Sequence, residues 1–172
     1  MKKSLFFYFI LTLSLFSRGS LSISEIFKEH FSDNISIDQR ILILNKAQVA
    51  NIEQKAKSKM DSNKIWIYEV KQQGNSIAYA VLLHKRMRTK HATILYVFSR
   101  EKIIKSIEIL KFKEPSEYKP NRSWQNLFIG KSKEDRLKAG YDIPMVSGAT
   151  LSARGISDAA RIALHSLETA GY

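Results

Sequence analysis

The chain is predicted to be an α+β protein, with an antiparallel sheet of hairpins packed against helices. Three observations predict it. Strand-like runs arrive in pairs, at 65–70 with 77–84 and at 92–98 with 103–112. Each pair is joined by a short turn, Gln72-Gln73-Gly74-Asn75 or Ser99-Arg100-Glu101-Lys102, too short to hold a crossover helix. After the strands the pattern turns helical and ends in an amphipathic helix.

The elements follow in order. Lys2-Lys3, the apolar run 5–16 broken only by Thr12 and Ser14, and the small residues of Ser17-Arg18-Gly19-Ser20-Leu21-Ser22 read as a secretory signal peptide, 1–22. Twelve residues fall short of the roughly 20 that cross a bilayer. Cleavage after Gly19 or Ser22 leaves a single domain, 23–172. Residues 24–31 form a short amphipathic helix with Ile26, Phe27, His30 and Phe31 on one side, 35–44 a strand, and 46–59 a polar helix. The two hairpins come next, then a short helix around 123–128. In the last helix Ile156, Ala160, Ala163, Leu164 and Leu167 mark a buried stripe, and Ser157, Asp158, Arg161, His165 and Glu168 the other face.

The chain has no cysteine, which excludes disulfides, thiolate chemistry and iron–sulfur clusters. Its four histidines, His30, His84, His91 and His165, are scattered and belong to no haem-attachment motif. A redox role would rest on a bound organic cofactor. Net charge is +12, and loss of Lys2, Lys3 and Arg18 with the leader lowers it by three to +9. The densest basic cluster, His84-Lys85-Arg86-Met87-Arg88-Thr89-Lys90-His91, falls at a hairpin tip. It reads as a solvated loop, or as a tip that docks on an acidic redox partner or an anionic membrane surface. It lacks interleaved aromatic residues, so no nucleic-acid partner is expected.

The tightest constraint is Ser147-Gly148-Ala149-Thr150-Leu151-Ser152, at the mouth of the last helix. First-turn N–H groups have no carbonyl partner inside a helix and favour an anion there. Gly148 and Ala149 let a bulky group come close to the backbone. Two readings are open: Ser147 or Thr150 caps the helix, or the mouth holds a phosphate ester, with Arg154 one turn away.

Val146 to Ser152 resembles the flavinylation motif of the FMN-binding domain family, which includes covalent FMN subunits of the sodium-translocating NADH:quinone reductase and of Rnf complexes. The resemblance extends over about 63–165, through Glu114-Pro115 and through Trp124 with Phe128-Ile129-Gly130-Lys131. It implies FMN joined by a phosphoester to Thr150, the attachment being made by a separate flavin transferase with FAD as donor. Ser147, Gly148, Ala149, Leu151 and Ser152 would surround the phosphate, and Trp124, Phe128 and Met145 are the candidates nearest in sequence for a wall against the flavin ring. Glu114 and Glu117 are the acidic candidates for a proton donor. Family members commonly carry an acidic residue a few positions before the serine; here Pro144 and Met145 fill the nearest places and Asp142 lies further back.

The expected function is that of an extracytoplasmic electron carrier, periplasmic or secreted, whose redox partner is a protein, at the membrane or free of it. A noncovalent FMN or phosphate-binding module, and a basic extracytoplasmic adaptor without a redox role, are the alternatives. No metal site is expected.

Overall fold

The computed structural model describes residues 22–31 and 34–172, so the leader read at 1–22 lies outside the described residues except for Ser22. The chain runs α1 (Ile23–His30), β1 (Ser36–Ile43), α2 (Lys46–Ala56), β2 (Lys64–Gln72), β3 (Asn75–Arg86), β4 (His91–Ser99), β5 (Ile104–Phe112), α3 (Arg122–Gln125) and α4 (Thr150–Thr169). The sheet is a meander, β1-β2-β3-β4-β5, with every neighbouring pair antiparallel. This is the expected α+β architecture, with its last helix beginning at the threonine of the motif.

Local chemistry accounts for the element ends. Ser22 and Glu25 form a capping box on α1, and Asn45 and Gln48 form one on α2. Helix α2 stops at Ala56, short of the expected 59, because Lys57 turns left-handed (φ 49°) and Ser58 N–H reaches back to Glu53 O. Between β2 and β3 the register pairs Gln72 with Asn75, which leaves Gln73 and Gly74 as a two-residue loop, both with positive φ. That backbone matches the twist of the paired strands.

The two faces of the sheet carry separate apolar clusters, as period-two alternation requires. Ile26 and Phe27 of α1 cover Tyr68, Val70, Ala78, Ala80, Leu95 and Val97. Ile65, Ile67, Val81, Leu83, Ile94, Tyr96 and Phe98 face α2 and α4 on the other side. Strand β4 is covered on both faces, which explains its continuous run Ile94-Leu95-Tyr96-Val97-Phe98.

Helix α4 buries the expected stripe, Ile156, Ala160, Ala163, Leu164 and Leu167. Its other face departs from expectation. Ser157 is fully buried, and Arg161 donates to the carbonyls of Ala56 and Leu137 as well as to Asp158. The end of α2 and the loop through Leu137 therefore lie over a side of the helix that its polar residues would have given to water. From the sheet, the buried Tyr96 hydroxyl donates to Ile156 O at 2.7 Å. Ile156 O also accepts from the helix ladder, so Tyr96→Phe orphans no acceptor; an ordinary loss of about 0.5–1.5 kcal/mol is expected in chemical denaturation.

Between β5 and α4 the chain makes a 3-10 turn (Ser116–Tyr118), α3, and a second 3-10 turn (Asn126–Phe128). Phe128 is fully buried and packs edge-on against Trp124 at 5.2 Å. Trp124 Nε1 donates to Pro144 O at 2.7 Å. This pair anchors the loop that delivers Thr150.

Candidate functional site

Helix α4 starts without a cap. Ala149 occupies the capping position and its methyl group accepts nothing, so neither Ser147 nor Thr150 plays the capping role that the sequence left open. The first intrahelical bond is Ala153 N–H to Ala149 O, at 3.0 Å. The N–H groups of Thr150, Leu151 and Ser152 thus have no partner among the described residues, and the helix dipole adds partial positive charge there. Thr150 is half-buried and its hydroxyl donates to Val146 O at 3.3 Å.

The turn before the helix is closed by Ala149 N–H to Val146 O at 3.0 Å, with Gly148 in its third position at φ 75°. A Cβ at Gly148 would meet nothing within 4 Å, so the demand for glycine comes from backbone conformation alone. Gly148→Ala is expected to cost about 1–2 kcal/mol. It should also distort the mouth, read as slower attachment of flavin relative to loss of the folded state.

Gly148 through Ser152 line a cleft of about 280 Å³, closed on its other side by Arg88 and Tyr118. Ser152 is only 2% exposed, yet its hydroxyl makes no hydrogen bond among the described residues. The Arg88 guanidinium lies over the Tyr118 ring, 5.6 Å from its centre. A cation, a hydroxyl and three N–H groups, the last four without partners among the described residues, therefore meet beside one threonine.

Arg88 arrives from the β3–β4 hairpin tip, the cluster expected to be a solvated loop or a docking tip. Its side chains are largely exposed, but its backbone is held. Met87 is buried against Gly155 of α4, where an added Cβ would stand 2.9 Å from Met87 Sδ and 3.3 Å from Arg86 O. Glycine permits that approach. Glu114, 7% exposed, clasps the tip: its Oε1 accepts from the N–H groups of Arg88 (3.1 Å), Thr89 (2.5 Å) and Lys90 (2.7 Å), and its Oε2 from the Thr89 hydroxyl (3.1 Å). The bond from Lys90 N–H leads in holding the Glu114 carboxyl down at about 2, helped by Thr89 and Arg88 and opposed by desolvation. A carboxylate so held has no proton to give near neutral pH, which removes Glu114 as a proton donor and makes it a positioning residue. Glu117 lies exposed in the 3-10 turn.

The other candidates fall elsewhere. Ser147 and Arg154 are exposed beside the mouth, and Met145 lies against Gly140; none lines the cleft. Trp124 and Phe128 belong to the core rather than to an open wall. Asp142 accepts from the N–H groups of Leu137 and Lys138 and pairs with Lys131 at 3.6 Å, so its carboxylate braces its own loop. Arg88 and Tyr118 were not tied to the motif by sequence. The one signal was that Arg88 sits in the densest basic cluster.

No curated protein and no solved structure matches the chain. Residues 90–165, from the clasped hairpin tip through most of α4, match the family model described as the FMN-binding domain, the family that the motif resembles.

Proposed function

We propose that the protein is an extracytoplasmic electron carrier that holds FMN through a phosphoester to Thr150. The observation that carries this reading is the uncapped helix mouth, where Thr150 stands in the first turn opposite Arg88. A phosphodiester there bears one negative charge. The N–H groups of Thr150, Leu151 and Ser152, the Ser152 hydroxyl and the Arg88 guanidinium are donors suited to it. These residues fit the FMN that the family match supports.

The size of the cleft favours a tether over simple binding. Small-molecule sites usually enclose about 300–1,000 Å³ and bury most of the ligand. A cleft of about 280 Å³ suits a phosphate and its nearest carbons. Leu151, 46% exposed, adds an apolar side chain at the rim. Retention of the whole cofactor then falls to the covalent bond.

Attachment by a flavin transferase with FAD as donor balances simply. The Thr150 Oγ1–phosphorus bond forms, the pyrophosphate bond of FAD breaks, AMP leaves, and the hydroxyl proton is lost to solvent. When bound, FMN supplies one- and two-electron transfer. Thr150 anchors, Arg88 and the free N–H groups neutralise charge, and Glu114 holds Arg88 in place. Electrons would pass between protein partners, at the membrane or free of it.

The leader supports export. Ser22 also favours one of the two cleavage points, because cutting after Gly19 keeps the capping box of α1 and cutting after Ser22 removes its first residue. Losing such a cap costs about 1 kcal/mol. Fractionation with N-terminal sequencing should find a mature chain beginning at Ser20; a retained Met1 would refute export by a cleaved leader. Coexpression of the precursor with a flavin transferase, followed by denaturation, should give in-gel flavin fluorescence and the mass increase of one FMN residue. Flavin lost on denaturation would show noncovalent binding instead, and absence of flavin with retained binding to anionic vesicles would show the adaptor.

A further inference from the structure

A second and larger cleft, of about 490 Å³, lies between the end of α2, the loop through residues 133–141 and the second half of α4. Its nearest lining residue on α4, Arg161, is eleven positions beyond Thr150, or about 16 Å along the helix, so it is separate from the flavin mouth. Six of its lining side chains are cationic and one, Asp135, is acidic.

The cations are unevenly compensated. Lys55 and Lys133 share Glu168, at 3.6 and 3.0 Å, and Arg161 pairs with Asp158. Lys57, Arg136 and Lys138 have no carboxylate partner among the described residues. Arg136 and Lys138 lie 5.7 and 4.3 Å from the centre of one ring, that of Tyr141, which is 62% exposed. Two like charges are thus gathered on one aromatic group at the rim of a concavity.

The arrangement is built rather than loose. Asp142 takes the N–H groups of Leu137 and Lys138 at 2.9 and 2.8 Å, and Arg161 donates to Leu137 O. Leu137 is fully buried and has φ 47°, an unusual backbone for a bulky residue. Lys57, across the cleft, is also left-handed at φ 49°. Fixed backbone with unpaired cations facing a common space is preorganised for an anion, since the cost of assembling the charges is met by the fold and not by the ligand.

We propose that this cleft is a binding site for a soluble small molecule carrying two or more phosphate groups, with Lys57, Arg136 and Lys138 as its charge partners. The site is independent of the flavin on Thr150. Pyrophosphate titrated into the mature chain at low ionic strength should bind, and affinity should fall as salt is raised. The exposed pair R136Q/K138Q, which leaves the core untouched, should weaken binding about tenfold or more. The control pair K90Q/R154Q, with the same loss of charge elsewhere, should leave it nearly unchanged. Absence of pyrophosphate binding, equal losses in both pairs, or binding of R136Q/K138Q at full affinity would overturn the proposal. So would loss in R136Q/K138Q of binding to phosphatidylglycerol vesicles when pyrophosphate itself does not bind, which would assign the cations to a lipid surface.

Discussion

Thr150→Ala is expected to abolish covalent flavin completely while leaving the fold intact. The two effects separate because of where Thr150 stands. It occupies the first turn of α4, its side chain is half-buried, and its one hydrogen bond runs to Val146 O, a carbonyl that also accepts from Ala149 N–H. Alanine therefore orphans nothing and is a better helix former, so the change in unfolding free energy should stay within about 0.5 kcal/mol. Attachment, by contrast, needs the oxygen itself. Thr150→Ser keeps that oxygen and should keep the label. Denaturing gels scored for flavin fluorescence, with intact mass on the same samples, would check all three chains. A label that survived in the alanine variant would move the tether to another residue, with Ser147 and Ser152 the nearest hydroxyls in sequence.

Much of the fold was legible because its elements are declared locally. The Gln73-Gly74 loop has the backbone a two-residue hairpin requires, and the stripe from Ile156 to Leu167 is buried as its spacing implies. Legibility failed where a side chain's partner is a distant backbone group. The face of α4 with Ser157 and Arg161 looked solvated, but carbonyls of Ala56 and Leu137 satisfy the guanidinium. Carbonyls leave no trace in residue types. The motif itself fixed where a phosphate would sit but not what faces it. Nearness in sequence pointed to Trp124, Phe128 and Met145 as surroundings, whereas the fold brings Arg88 and Tyr118 to the cleft and sends Phe128 into the core. Glu114 was legible as part of a family stretch, but its task depends on three N–H groups on a separate hairpin.

That task makes Glu114 the residue whose loss should spread furthest from its own position. Glu114→Ala removes the acceptor of Arg88, Thr89 and Lys90 N–H together. The tip is exposed enough for water to replace it, so the tip should loosen and the sheet persist. Amide exchange at those three residues should quicken about tenfold or more while β4 keeps its protection. Arg88 then no longer has a fixed place over the cleft, and flavin attachment should slow without loss of Thr150. The pH dependence has a definite sign. The folded carboxyl is lowered from 4.5 to about 2, so its contribution is fully present above 4.5 and is lost as pH falls through 2. Glu108 and Glu168 are lowered to about 2 as well, and acid therefore weakens the whole domain over the same range. Local exchange distinguishes the hinge of the tip from that general loss. In Glu114→Gln the neutral amide oxygen keeps part of the clasp, so exchange at Arg88, Thr89 and Lys90 should be faster near neutral pH and should show no added opening through the titration range of Glu114. If exchange there matched the unsubstituted chain at every pH, the clasp would not be what positions Arg88.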